Sequence, residues 1–313
     1  MPKLLLPFLL LMSVYLQAEQ CPQQGVYVQV LGSGGPEISD GRASSAYLLW
    51  QDGKAKVLVD FGGGALLRFE QSGAKIEDLE AVAFTHFHLD HSADFAPLIK
   101  ASFFTNRSSD LPIFGPPENH LLPSADSFVE KLFAGSSGDK GVWPYLSGYI
   151  DGGESYRIVP TTVTNTQGKV QEVWQSKNGQ IKLSAISVNH GPLPALAWRI
   201  DVEAKQKDQS VVISGDMSDN SGNLINLLQG ADTFVAHHAI PEGAKGIARR
   251  LHMPPSRIAA NAKQAQVKSL VLSHHMSRSL ADIKNSQKII NEIFTGPLFV
   301  AQDLDCFAVT PVL

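Results

Sequence analysis

The chain has 313 residues, 18% of them charged, with a formal net charge of −4. Proteins that bind long nucleic acid show a basic face. No Lys/Arg run is present to build one, so long nucleic acid is not an expected partner. The length allows one large domain with a sizeable core.

In chain order, Met1–Ala18 stands apart from any fold. Lys3 gives a charged start, Leu4–Leu16 is almost wholly apolar, and Leu16-Gln17-Ala18 ends in a small residue. These are the features of a secretory signal. We therefore expect a signal peptide over residues 1–18 and a single domain over 22–313, with halves of about 22–165 and 166–313. The apolar run is too short for a comfortable transmembrane span. The membrane then matters only for export, and the mature protein is expected in the periplasm or secreted. An uncleaved anchor is the alternative. Cys21 follows Ala18-Glu19-Gln20, a poor context for lipid attachment. Cys21 and Cys306, the only cysteines, can pair in an oxidising compartment, closing a loop worth roughly 4–5 kcal/mol in the chain-entropy model. Two unpaired thiols are the alternative.

Gly25–Leu31 reads as a first strand and runs into Gly32-Ser33-Gly34-Gly35-Pro36, a turn that lets backbone approach a ligand closely. Arg42-Ala43-Ser44-Ser45 precedes a strand at Ala46–Trp50, and a third strand, Lys56–Val59, ends in Asp60-Phe61-Gly62-Gly63-Gly64. Asp60 can orient a ligand histidine or merely cap the turn.

Leu79–Phe84 is apolar and reads as a buried strand. It leads into Thr85-His86-Phe87-His88-Leu89-Asp90-His91, and Ser92–Ser102 then shows helical spacing. His86 and His88 are two apart and cannot share a helix face. They belong to a strand-to-helix turn, where α/β proteins place their sites. Imidazole nitrogen and carboxylate oxygen are ligands of zinc and its first-row neighbours. Four such groups exceed the three or so protein ligands of one open catalytic zinc, which points to two metals.

Ile113-Phe114-Gly115-Pro116-Pro117 ends another strand, and Ser124–Phe133 reads as an amphipathic helix with a serine cap. Trp143, Tyr145 and Tyr149 lie in the loop-rich stretch Gly135–Gly153, where they wall a substrate pocket or form a satellite cluster. His120 reads as surface. Gln180–Val188 alternates and ends in Asn189-His190-Gly191-Pro192, and a strand follows at Ala195–Val202. Ser210–Ile213 ends in Ser214-Gly215-Asp216. Val235-Ala236-His237-His238 comes next, then Leu251-His252-Met253-Pro254-Pro255 opening a helix over Pro255–Gln266. Ser269–Leu272 is a further buried strand ending in Ser273-His274-His275.

The run His86-x-His88-x-Asp90-His91 resembles the H-x-H-x-D-H signature of the metallo-β-lactamase superfamily. Leu31-Gly32-Ser33-Gly34, then Arg42–Ser45, then Asp60–Gly64 resemble, in order, the N-terminal series of its ribonuclease Z branch. Two halves, each of strands followed by helices, suit two mixed sheets with helices outside. The resemblance implies that fold, a four-layer αββα sandwich with the metals at one edge between the sheets.

It also implies a ligand set. His86, His88 and His190 would hold one divalent ion; Asp90, His91 and His274 would hold the other, with Asp216 bridging and His275 as the alternative to His274. Zinc is the expected metal, with Mn2+ or Fe2+ admissible. Two such cations lower the pKa of a shared water toward neutrality, which Asp90 can orient. His252 matches the family's proton-donor histidine in position, although Met-Pro follows it rather than a small hydroxyl residue. His238 stands where the family's H-E-A-T segment has glutamate, so the support around the ligands must differ.

Neither cysteine falls near Asp216, unlike many zinc β-lactamases, and His88 stands where flavo-diiron proteins have glutamate. The implied activity is hydrolysis of a small ester, a phosphodiester or a sulfate ester as in arylsulfatase-like members. A lactonase or other carboxylic-ester hydrolase is the alternative enzyme, and a non-catalytic exported metal-binding protein the alternative class. tRNA fits poorly, because the chain lacks the long projecting arm and is expected outside the cytoplasm. A homodimer is admissible.

Overall fold

The computed structural model describes residues 21–135, 140–164, 168–204 and 207–309. The expected signal peptide, 1–18, lies outside the described residues. Strands β1 (Val26–Gly32), β2 (Ala46–Gln51), β3 (Lys54–Phe61), β4 (Ala81–Ala83), β5 (Leu111–Gly115) and β6 (Ile158–Thr162) form most of one sheet. Strands β7 (Gln171–Gln175), β8 (Ile181–His190), β9 (Leu193–Val202), β10 (Gln209–Ile213), β11 (Thr233–His237), β12 (Ser269–Ser273) and β13 (Leu298–Val300) form the other. The last strand, β14 (Cys306–Ala308), returns to the first sheet. The orders are β14-β1-β2-β3-β4-β5-β6 and β13-β12-β11-β10-β9-β8-β7. In each sheet an antiparallel stretch passes into a parallel one, at β3 and at β10.

The return of β14 corrects the expected division at residue 165. Residues 306–308 pair antiparallel with β1, with Val28 opposite Phe307. Two links explain the crossing. Cys21 and Cys306 form a disulfide across 285 residues, and the Gln29 side-chain amide donates to the Leu304 carbonyl at 3.1 Å. The crossing also covers an edge of β1 that would otherwise be open to pairing with other chains.

Strand alternation sorts the side chains into layers. Val57 and Val59 of β3 and Val271 of β12 share one core with Tyr47, Trp198 and Ile200, between the sheets. Leu58 and Phe84 face the other way, against Phe95 and Phe133 of the helices Phe95–Ser102 and Ala125–Phe133. Leu270 and Leu272 pack against Ile258 and Ile290 of the helices Pro255–Gln264 and Ile283–Ile293. Helix, sheet, sheet, helix is the expected αββα sandwich. Because both faces of the central strands are buried, they read in sequence as continuous apolar runs.

Smaller expectations fare unevenly. Ser124 caps its helix, its hydroxyl accepting from the Ser127 N–H at 3.3 Å. The helix expected over Ser92–Ser102 is two, Leu89–Ser92 and Phe95–Ser102. The helix from Pro255 stops at Gln264, and Gln266 adopts a positive φ of 56°. Tyr149 is buried beside Tyr156, ring centroids 5.0 Å apart, and both hydroxyls reach Ser102, which makes it part of a satellite cluster. Trp143 and Tyr145 are exposed. Among the described residues no helix is long and apolar enough to cross a membrane.

Reducing the disulfide, or the change Cys306→Ser, should lower unfolding free energy by several kcal/mol, with about 5 kcal/mol as the ceiling for so long a loop. Denaturant titration with and without reductant measures it; coincident curves would show that the cysteines do not pair in the folded protein.

Candidate metal centre

The chemistry-bearing side chains sit at the C-terminal ends of β3, β4, β8, β10, β11 and β12. That is the end of a parallel sheet where loops are free to vary above a fixed frame. The two sheets are clamped just below them. The Trp198 indole N–H donates to the Phe84 carbonyl at 3.0 Å, and the Leu196 N–H to the Thr85 carbonyl at 2.9 Å. Two glycines let the loops close. A Cβ on Gly62 would stand 2.1 Å from the Asp90 carbonyl oxygen, and one on Gly35 would stand 2.9 Å from His274 Cε1.

The structure brings all seven expected ligands together as two groups. His86, His88 and His190 converge with their ligand nitrogens within 4.8 Å of one another. His190 Nδ1–H donates to the Leu251 carbonyl at 3.1 Å, which leaves Nε2 as the lone-pair atom. In the second group His274 Nε2 lies 3.3 Å from Asp90 Oδ2 and 3.3 Å from Asp216 Oδ1. His91 Nε2 lies 3.5 Å from Asp90 Oδ2 and 3.8 Å from Asp216 Oδ2. Asp216 Oδ2 is also 3.9 Å from His190 Nε2, so this one carboxylate reaches both groups.

The donors fit divalent cations. His91 Nε2 and His190 Nε2 are buried with no hydrogen-bond partner, and buried polar atoms left unpaired are rare in folded proteins. Both face carboxylates across gaps too long for a hydrogen bond. Burial, with His91 next, holds His86 well below the ordinary imidazole value, so it is a neutral donor. Burial alone would raise Asp216, but His274, His252 and the His237 hydrogen bond outweigh it and hold the carboxyl well below its usual range. A nitrogen and oxygen donor set suits zinc, and also manganese and iron.

Asp60 takes the supporting position expected of it. Its Oδ1 accepts the Thr85 N–H at 2.7 Å, and its Oδ2 accepts from the Thr85 hydroxyl at 2.8 Å and from His91 Nδ1 at 2.8 Å. His91 is thus fixed with Nε2 toward the cluster.

His238 does not take the place expected of it. Its Nε2 lies 3.0 Å from Ser286 Oγ and its Nδ1 3.5 Å from His275 Nδ1. Burial pushes it down to about 4. Consecutive residues at a strand end face opposite sides of the sheet. His237 therefore points between the sheets and His238 outward, to the helix Ile283–Ile293. At the tip of β12 the alternation breaks. Ser273 Oγ lies 3.1 Å from the hydroxyl of Tyr47 between the sheets, and His274, at a positive φ of 52°, also turns inward. That leaves His275 to reach His238, which answers the choice between those two.

His237 is the functional residue that the sequence did not single out. Its Nδ1–H donates to Asp216 Oδ1 at 2.8 Å, and its Nε2 lies 2.9 Å from the Tyr47 hydroxyl. Its backbone N–H donates to Ser214 Oγ at 3.1 Å. Burial lowers it to about 3, so the ring is neutral. With both nitrogens engaged it positions Asp216, and a ring nitrogen also lies within 4.8 Å of the ligand atoms of His91, Asp216 and His274. The available signal was its place as the inward residue of an apolar strand tip, the feature that marked His190.

His252 follows the helix Gly246–Leu251, whose last carbonyl holds His190. Its Nδ1 is buried without a partner, 3.8 Å from Asp216 Oδ2, and its ring centroid lies 5.6 Å from that of His190. It lines the cluster wall. His120 is exposed, as expected.

Residues 39–178 match the family model described as the Metallo-beta-lactamase superfamily. Ribonuclease Z of Mycobacterium bovis is 27% identical over 264 residues, covering 80% of this chain and 85% of that protein. Among solved structures, the metallo-beta-lactamase fold protein YhfI of Bacillus subtilis matches with a TM-score of 0.66 at 22% identity, over 90% of this chain and 98% of that one. The short form of human tRNase Z also matches at 0.66, with 18% identity over 91% of this chain and all of that one, 100%. Over residues 39–178 the chain thus carries a Metallo-beta-lactamase superfamily domain, and the sandwich and the cluster accompany it. Its homologues are ribonuclease Z proteins.

Groups that orient a ligand typically matter by about 10–100-fold in metal affinity. Asp60→Asn and His237→Phe should each weaken metal binding by that factor in chelator competition. His238→Ala should leave affinity within about twofold and show instead as a lower melting temperature. Wild-type affinity in His237→Phe would remove it from the support of Asp216.

Proposed function

We propose that the protein is an exported, dinuclear, zinc-dependent phosphodiesterase acting on a small ester. The observation that carries this reading is the pair of donor groups sharing Asp216. A ribonuclease Z relative, named for cleaving RNA, favours the phosphodiester bond over sulfate and carboxylic esters. The absence of a Lys/Arg run favours a small substrate over a long strand. Export is favoured by the apolar leader and by the Cys21–Cys306 disulfide, since disulfides persist in oxidising compartments.

His86, His88 and His190 would hold one ion, and Asp90, His91 and His274 the other, with Asp216 between them. Bound there, two divalent cations supply Lewis acidity and a nucleophile at neutral pH. The chain's own groups do the rest. Burial alone would raise Asp90, but His91 and His274 outweigh it and keep the carboxylate ionised. Its oxygens then accept from an attacking water and set its direction. His237 keeps Asp216 in one orientation. His252, on the wall of the cluster, would give a proton to the leaving oxygen once that oxygen's developing charge offsets the burial that lowers the ring to about 4.

Purified protein should hold two metal ions and cleave bis-p-nitrophenyl phosphate faster than an aryl sulfate or an acyl-homoserine lactone. A folded protein that binds no metal, or one that prefers either control substrate, would overturn the reading. General acid catalysis is typically worth about 10²–10⁴-fold. His252→Ala should therefore lose rate on that scale on an alkyl leaving group and far less on p-nitrophenolate, at full metal occupancy. Equal losses would leave proton delivery to water. The mature chain should begin just after Ala18 by mass spectrometry, and recovery of full-length protein in the cytosol alone would contradict export.

A further inference from the structure

Among the ligand rings, His274 is held differently from the others. His86 Nδ1 lies 3.1 Å from the Thr85 hydroxyl, His91 Nδ1 lies 2.8 Å from Asp60 Oδ2, and His190 Nδ1 donates to the Leu251 carbonyl at 3.1 Å. Each of those rings is aimed by a partner on its outer nitrogen. His274 Nδ1 is buried with no hydrogen-bond partner. The aim of this ring must come from its backbone and from what packs against it.

That backbone is strained. His274 has a φ of 52°, a conformation that residues with a Cβ rarely adopt and that persists only where the surroundings over-determine it. Here the surroundings are the glycine turn Ser33-Gly34-Gly35. The His275 N–H donates to the Ser33 carbonyl at 2.8 Å, and the Gly35 N–H donates to the His275 carbonyl at 3.0 Å. Gly34 and His275 form a parallel bridge. Gly35 also lies against the ring, where an added Cβ would stand 3.3 Å from His274 Nδ1. The turn brackets the residue after His274 on both sides and closes on the ring itself.

One carboxylate holds the turn. The Asp303 side chain is 11% exposed. Its Oδ1 accepts the Ser33 N–H at 3.0 Å and the Ser33 hydroxyl at 2.7 Å. Its Oδ2 accepts the Ala43 N–H at 2.8 Å and the Arg68 Nε–H at 3.0 Å. The Ala43 carbonyl in turn accepts the Gly34 N–H at 2.9 Å. Both oxygens therefore lead to the bracket, one through Ser33 and one through Ala43. Hydrogen bonds to an ionised acceptor are the strong ones, and none of these donors belongs to a ligand residue.

We propose that Asp303 is the positioning residue for His274, and so for the ion that Asp90, His91 and His274 would share. The proposal rests on the two-metal reading above and not on which ester is cleaved.

The test is chelator competition on the metal-loaded protein, which gives two metal constants. His88→Ala and His274→Ala assign them, each weakening chiefly one. Asp303→Asn keeps the shape of the side chain and leaves one oxygen to accept. It should weaken the His274 constant by about 10–100-fold, the scale for groups that orient a ligand, and leave the His88 constant within about twofold. In His274→Ala the same change should cost nothing further at that site, because residues that act through one another are not additive. Ser33→Ala removes the hydroxyl and keeps the N–H. It should show the same bias at a smaller size, and it carries the comparison if Asp303→Asn does not fold. Both constants falling together, or neither falling, would overturn the proposal and make Asp303 a residue of general stability. So would a full loss added on top of His274→Ala. A folded wild-type protein that binds no metal would overturn the two-metal reading and this proposal with it. Two metals bound without phosphodiester cleavage would overturn the substrate reading and leave the role of Asp303 standing.

Discussion

The carboxylate of Asp216 is where the two sheets meet chemically. It stands on the second sheet, and within 4 Å it has His91 from the first sheet and His190, His237, His252 and His274 from its own. Burying so many polar groups in one place is costly unless they are paired. Here Asp60, Asp90 and Asp216 are buried with these rings, and several ring nitrogens remain without protein partners. Divalent cations held there would resolve that imbalance. The surrounding packing can stay apolar and rigid because the charge is handled at one point.

Much of this was legible in the sequence, for a physical reason. Ligands must converge, and a sandwich brings side chains together at strand tips. An apolar run ending in His or Asp is therefore a visible sign, and it marked His86, His190, Asp216 and His274. What stayed hidden was which way each side chain faces. His237 and His238 are adjacent and identical, and only the packing of β11 between a sheet and a helix decides which one turns inward. The same limit kept Asp60 ambiguous until its three donors were placed.

The fold was legible where strands are buried on both faces and hidden where they are not. β6 contains Pro160 and two threonines, and β7 is mostly polar. Both are edge strands with one weakly covered face, so neither shows a strong hydrophobic pattern. β14 is short, and nothing local ties it to a strand nearly 280 residues earlier. Its pairing follows from the disulfide and from the bonds of residues 303–305 to the first sheet, which are tertiary facts.

That late strand bears on how the molecule comes into being. Asp303, just before it, accepts from the Ser33 and Ala43 N–H groups and from Arg68 Nε, so the glycine turn beside His274 is pinned by residues near the far end of the chain. Contacts this distant in sequence slow folding. During synthesis the first sheet lacks its border, and one side of the metal centre is unbraced, until almost the whole polypeptide has emerged. A chain of this design cannot lock early, because the brace of its metal centre is among the last parts to be made.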